Sequence, residues 1–420
     1  MTDYVVPMSP ADEQPWTLTA RWIFPVAGPP LEQGTITIAG ERIVGVEARG
    51  KSRPDQDLGN AAILPGLVNA HSHLDLTGLR GKAPPGEDFT QWLRAVIGHR
   101  RGQSEPQIQA DIHAGLRESV HYGTSLLGDI SAQGASWPAL SEASYRGRAV
   151  VFHELLGLTK VRAGQAWAQA CRWLQEHPPT DHCRPGLSPH APYSVRAALC
   201  RAVVNHARQT QLPIAVHLAE TKAELELLEK RSGPFADFLR EVGVWDPEGL
   251  VANAGEILEL TRDLPQCLIA HGNYLLASAV PRHDVVVYCP RTHAAFAHAP
   301  YPLRDYLAAG VRVALGTDSL ASNPDLNLLA EARFVRDTFP DLAGDIILRM
   351  ATLWGAEALG WESETGSLVA GKSADLVVAP LPDDHAAEPF ALLWQTPPVV
   401  TAVLLRGRWI DLEVPPGKSY

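Results

Sequence analysis

The chain alternates short, almost continuous apolar runs with longer stretches in which apolar positions recur every three or four residues. Eight runs stand out: ILPGLVNAHSH (63–73), TSLLGDI (124–130), RAVVFHELLG (148–157), RPGLSPHAPY (184–193), PIAVHLAET (213–221), QCLIAHGNY (266–274), VVVYCPRTH (285–293) and RVALGTDSL (312–320). Their length and composition predict buried strands. Helical periodicity fills the gaps, for example over 165–176, 195–211 and 222–242. Strands and helices alternating eight times predict an α/β fold, a (β/α)₈ barrel. At both ends of the chain the pattern changes to short β-prone runs broken by glycines, as in WTLTARWIF, GTITIAGERIVGVEA, GSLVAGKSADLVVAP and VVTAVLLRGRWIDL. Gly40-Glu41 reads as a hairpin turn. These ends predict one small β-sandwich built from both termini. The expected division is 1–64 and 363–420 for the sandwich and 65–362 for the barrel.

Every barrel run finishes in polar or ionisable residues: His71/His73, Asp129, Glu154, His190, His217/Glu220, His271, His293 and Asp318. In such barrels the C-terminal strand ends build the active face. His71 and His73 stand two apart on one strand, so both imidazoles can reach the same ion. The pair alone is a weak sign in a chain with 16 histidines; its place at a strand end carries the argument. A metal that activates water needs a few protein ligands and an open position. His71, His73, His217 and Asp318 could supply three nitrogens and a carboxylate. Glu220 could stand beside the ion as a proton shuttle, and Asp318 could also accept a proton. His271 is placed to hydrogen-bond the attacking water or a developing oxyanion.

Plainer readings stand beside these. His99, His113, His121, His177, His182 and His206 fall in helices or loops and read as surface or packing residues. Glu220 alone would read as a helix N-terminal carboxylate, and Asp129 or Glu154 as caps of the following helix. Cys289 has no adjacent base and reads as a packed thiol.

Composition narrows the class. Apolar content of 45 % and charged content of 20 % fit a globular chain with a large core. The formal net charge of -11 argues against a nucleic-acid partner. The opening MTDYVVPMSPADEQPW has no basic start and no long apolar run, so no signal peptide is expected, and no stretch is long enough to span a membrane. Five irregularly spaced cysteines without a CxxC pair predict reduced thiols and a cytoplasmic protein.

PGLVNAHSHLDLTGLRG, SPHAPYS, HLAET, AHGNYL, YCPRTH and LGTDSLASNPDLNLLAE, in this order, resemble the amidohydrolase superfamily. Within it they are similar to the aminohydrolase branch that includes S-adenosylhomocysteine, guanine and aminodeoxyfutalosine deaminases and the triazine hydrolases. The resemblance covers nearly the whole chain and, as an ordered set of motifs, is highly specific. It implies that His71, His73, His217 and Asp318 ligate one divalent ion, usually zinc, with iron or manganese as alternatives. It implies Glu220 as acid/base, His271 as the histidine contacting water and oxyanion, and His190 as a substrate contact. Relatives commonly carry CPxSN where this chain has Cys289-Pro290-Arg291-Thr292-His293, so His293 replaces an asparagine. Binuclear members carry a lysine late on the fourth strand; this chain offers His190 and no lysine there, which favours one metal. The cytidine-type zinc deaminases use a PCxxC motif that is absent here.

The expected function is therefore metal-dependent hydrolytic deamination of an amino-substituted heteroaromatic, an adenine-type nucleoside like S-adenosylhomocysteine or aminodeoxyfutalosine, with release of ammonia. The alternative is hydrolysis of a cyclic amide or of a halogenated or thio-substituted ring on the same metal. A third reading, a binding protein that has lost catalysis, predicts erosion of the ligands or the acid, yet all are present. GLRGKAPPGEDFTQWLRAVI (78–97) is expected to lie over the pocket, where Trp92 or Phe89 could stack on a ring or simply pack an amphipathic helix. Arg80, Arg148 and Arg291 are candidates for a substrate carboxylate, and Glu154 and His293 for further substrate contacts. The partner expected is a small molecule, and the resemblance adds a homodimer.

Overall fold

The computed structural model describes residues 14–50, 53–384 and 387–412; most of the opening segment read for a signal peptide lies outside these. Eight parallel strands form the central sheet: β1 (Leu67–Ser72), β2 (Thr124–Ala132), β3 (Arg148–Leu155), β4 (Cys183–Pro189), β5 (Ile214–Leu218), β6 (Cys267–His271), β7 (Val285–Tyr288) and β8 (Arg312–Leu315). They neighbour one another in chain order, and a parallel bridge between Ser72 and Asp318 joins the last segment back to the first. The Asp318 N–H donates to the His71 carbonyl at 3.0 Å, and Asn69 Oδ1 accepts from the Thr317 N–H at 3.1 Å. Barrel closure and the site are therefore made by the same residues. Val68, Leu126, Phe152, Ala215, Leu268 and Val287 belong to one apolar cluster drawn from seven of the strands, and Ala356 and Trp361 are part of it.

Two further sheets pack as the sandwich. One runs 42–47, 35–39, 16–19, 56–57; the other runs 408–409, 402–405, 376–380, 61–65, 22–23, 31–32, mixing both ends of the chain. Leu18, Ile36, Ile43, Ile63, Leu376 and Leu404 fill the space between them. The turn at Gly40-Glu41 joins two antiparallel strands, with Gly40 at φ 55°.

Several elements differ from the sequence expectation. The apolar run 63–73 is two strands, not one. Ala61–Pro65 pairs antiparallel with Leu376–Pro380 in the sandwich, whereas Leu67 onward pairs with β2. The break is at Gly66, where a Cβ would stand 2.2 Å from Ser125 Oγ. The expected helix 222–242 is two helices, Lys222–Lys230 and Pro234–Glu241. Arg231 and Gly233 adopt positive φ between them, and Pro234 starts the second. The run 285–293 is strand only to Tyr288; Pro290 opens a short helix, Pro290–Ala295, that carries His293 away from the strand end.

Candidate functional site

His71, His73 and His217 bring one ligand atom each within 4.8 Å of one another, and Glu220, His271 and Asp318 do the same. All six side chains are buried. His73 Nε2 lies 3.3 Å from His217 Nε2, and Asp318 Oδ1 lies 3.7 Å from His73 Nε2 and 3.8 Å from His71 Nε2. His217 Nδ1 donates to the His190 carbonyl at 3.0 Å, so its Nε2 carries a bare lone pair. His71 Nε2 is buried without a hydrogen-bond partner. Burial, aided by neighbouring histidines, holds His71 down at about 3 and His73, His217 and His271 well below the ordinary imidazole range. Neutral nitrogens whose lone pairs converge repel unless a cation lies among them. Ligand atoms about 2.0–2.1 Å from one tetrahedral zinc stand about 3.3 Å apart, which is the His73–His217 separation. The donor set fits a divalent metal.

The backbone at these positions is held under strain. Ala219, His271 and Asp318 have φ of 52°, 68° and 57°, a region that non-glycine residues enter at a cost of roughly 1–3 kcal/mol each. Identifiable contacts impose it. Buried Glu224 accepts the N–H groups of Ala219 (2.8 Å) and Glu220 (3.0 Å), and Asn273 Nδ2 donates to the Glu220 carbonyl at 2.9 Å. Tyr301 Oη donates to the His271 carbonyl at 3.0 Å. Asp318 Oδ1 accepts from its neighbour's N–H in Ser319 (2.7 Å), and Oδ2 from Ser322 Oγ (3.2 Å). Asp129 Oδ1 accepts from the Leu74 N–H at 2.9 Å and from Ser72 Oγ at 3.2 Å, fixing the turn after the histidine pair.

Glu220 Oε1 is 3.6 Å from His271 Nε2. Burial, then the nearby Asp318 carboxylate, pushes Glu220 well above the usual carboxylate range, while burial raises Asp318 to about 7. Burial thus favours the neutral form of the Glu220 carboxyl.

A cavity of about 450 Å³ opens on this cluster, lined by His73, His190, His217, Glu220, His271 and Asp318 and by apolar side chains including Phe89, Trp92 and Val96. Trp92 also packs against Phe89 and Phe296 at 5.2 Å and donates Nε1–H to the Ala321 carbonyl at 3.3 Å, so it both lines the cavity and packs its helix. Glu154 lines the cavity as well.

Four candidates are not at the cavity. Arg148 begins β3, seven residues and about 23 Å before its C-terminal end. It pairs with Asp375 at 2.8 Å and Glu364 at 3.4 Å. Arg291 is tied to Glu331 (2.6 Å) and Asp325 (2.8 Å), and Arg80 to Glu118. His293 sits on its short helix among Tyr288, His298 and Tyr301, because Pro290 turned the chain. One residue went unread in the sequence. Arg100, on helix Phe89–Gly102, pairs with Asp75 at 2.8 Å and with Glu154 at 2.9 Å. Burial opposes Glu154's charge, but Arg100, with His190 and His153, holds its carboxyl below the ordinary range. The helical spacing Phe89, Leu93, Val96, Arg100 would have placed that arginine on the cavity face.

The family model described as the amidohydrolase family matches residues 62–410. The chain belongs to the amidohydrolase family. It is a hydrolase, and its barrel and sandwich are those of the family. It is 32 % identical to a 5-methylthioadenosine/S-adenosylhomocysteine deaminase of Moorella thermoacetica over 87 % of this chain and 86 % of the relative. It is 28 % identical to an aminodeoxyfutalosine deaminase of Nitratiruptor sp. over 77 % of this chain and 80 % of that one. Among solved structures, an aminofutalosine deaminase of Helicobacter pylori superposes with a TM-score of 0.81 at 22 % identity, covering 95 % of this chain and 100 % of that one. A zinc complex of an atrazine chlorohydrolase from Arthrobacter aurescens gives 0.77 at 20 % identity, covering 94 % of each. At these identities the two structures establish a shared fold. Among the described residues no helix is long and apolar enough to cross a membrane.

Proposed function

We propose that this amidohydrolase is a metal-dependent deaminase of an amino-substituted heteroaromatic, an adenine-type nucleoside, releasing ammonia. One observation carries the reading: the buried Glu220 carboxyl faces His271 at 3.6 Å in the cavity that also holds the converging donors of His71, His73, His217 and Asp318. The deaminases among the relatives support the substrate class. The four donors would hold one divalent ion, zinc before iron or manganese. Such an ion, when bound, acidifies water and so supplies a nucleophile near neutral pH.

The chain's own groups then divide the proton work. Asp318, anchored through Oδ2 by Ser322, accepts the proton released by the attacking water. Glu220 donates its proton to the ring nitrogen beside the carbon that carries the amine, which makes that carbon electrophilic. The proton held by Asp318 then goes to the departing amine, which leaves as ammonia, and Glu220 recovers its own from the new hydroxyl as the carbonyl forms. His271, kept neutral by burial, hydrogen-bonds the oxygen that develops at the attacked carbon. Val96 and the Phe89–Trp92 pair cover the cavity and exclude bulk water. Localisation in the cytoplasm and assembly as a homodimer belong to the same proposal.

The test is ammonia release from metal-loaded protein across adenosine, S-adenosylhomocysteine, methylthioadenosine, aminodeoxyfutalosine, guanine, cytosine and an aminotriazine. Ammonia from an adenine nucleoside, lost on chelation, is expected. Silence on every amine, with turnover of a chlorinated or cyclic-amide ring, would replace the reading with its alternative.

A further inference from the structure

On the cavity wall beside the histidine cluster two hydrogen-bond acceptors face each other. Glu154 Oε2 accepts from Arg100 at 2.9 Å, which fixes the carboxylate, and Glu154 Oε1 lies 3.8 Å from His190 Nε2. The His190 tautomer follows from its other nitrogen. Ser194 Oγ donates its one hydrogen to the Ala191 carbonyl at 3.1 Å, so towards His190 Nδ1, 2.7 Å away, it accepts. Nδ1 therefore carries the proton and Nε2 a lone pair. Both side chains line the cavity, Glu154 is only 7 % exposed, and among the described residues no donor serves Glu154 Oε1 or His190 Nε2. His190 is partly exposed to the cavity, so both acceptors are open to a donor brought by a bound molecule.

We propose that Glu154 and His190 form a subsite for hydrogen-bond donors on the substituent carried by the heteroaromatic ring, and that those donors are the adjacent hydroxyls of a pentose. The proposal deepens the deaminase reading and rests on it. Three features select this chemistry. A carboxylate is repelled by Glu154 and finds Arg100 already engaged, by Asp75 at 2.8 and 3.3 Å and by Glu154 itself. A cation is disfavoured because the Arg100 guanidinium stands behind the carboxylate and offsets its charge. A neutral diol offers two donors along one edge to two acceptors along one wall. His190 also lies against His217, with ring centroids 4.7 Å apart, so a sugar held here keeps its base beside the metal ligands.

The experiment compares kcat/KM for the best adenine nucleoside and its 2′,3′-dideoxy analogue. In the native enzyme the dideoxy analogue should be poorer by on the order of 100-fold, the scale expected when hydrogen bonds to a charged acceptor are lost. In Glu154→Ala the hydroxylated substrate should fall towards its dideoxy analogue, leaving the two within a few-fold. Equal turnover of the two nucleosides by the native enzyme would overturn the proposal, whether or not the variant folds. Should neither nucleoside release ammonia, the deaminase reading fails separately, and calorimetry with the same pair still reads the subsite. Tighter binding of the hydroxylated nucleoside supports it; equal binding overturns it.

Discussion

His73 Nε2 and His217 Nε2 face each other at 3.3 Å, and the tautomer of His217 is fixed by its Nδ1 bond to the His190 carbonyl. That arrangement fits a cation among the donors. His217→Ala should abolish stoichiometric metal binding, read by elemental analysis, and lower kcat at least about 1000-fold. A variant that retains one tightly bound ion per chain would remove His217 from the ligand set.

In the proposed mechanism Glu220 is the group whose proton moves, and its side chain stands beside the donor set. Glu220→Gln should keep native metal content while kcat falls by about 100- to 10,000-fold, the usual worth of a general acid–base group. Near-native turnover would return Glu220 to a structural role.

Arg148 separates a structural from a substrate-binding arginine. Its guanidinium pairs with Asp375, which is 2 % exposed, where β3 meets the sandwich. Arg148→Met should destabilise the protein by about 3–5 kcal/mol by leaving that carboxylate unpaired, with KM unchanged in protein that has folded. Denaturant unfolding and kinetics together make the check; a raised KM at unchanged stability would contradict it.

Asp129 should give a pH signature. Burial raises its carboxyl to about 7 from an ordinary value near 3.8. Between those values the folded state holds a proton that the unfolded state has released. Its contribution to stability therefore falls as pH rises, by at most about 1.4 kcal/mol per unit. Asp129→Asn keeps an acceptor for Leu74 and Ser72 and removes the titration. The stability of Asp129→Asn relative to the native protein should rise between pH 4 and pH 7 and then level off. Parallel urea curves at pH 5, 6, 7 and 8 measure this.

The barrel was legible because each strand is an apolar run and all but β7 lead into the polar group read for them, a pattern that needs no tertiary information. The same is true of the His71/His73 pair. What was misread depends on single residues that turn the backbone. Gly66 splits one apolar run between two sheets, Gly233-Pro234 splits a helix, and Pro290 diverts His293 into a packing cluster. Arg148 looked like a site residue because a strand's two ends share one stretch of sequence, while the fold puts them on opposite faces of the barrel. Arg100 was passed over because its partners, Asp75 and Glu154, lie 25 and 54 positions away.

The most direct measurement is a titration of metal-free protein with zinc, following ammonia release from the best adenine nucleoside. A single ion held by His71, His73, His217 and Asp318 predicts negligible release without metal and a rise that saturates at one ion per chain. Full activity in the metal-free protein, or saturation only at two ions per chain, would contradict it.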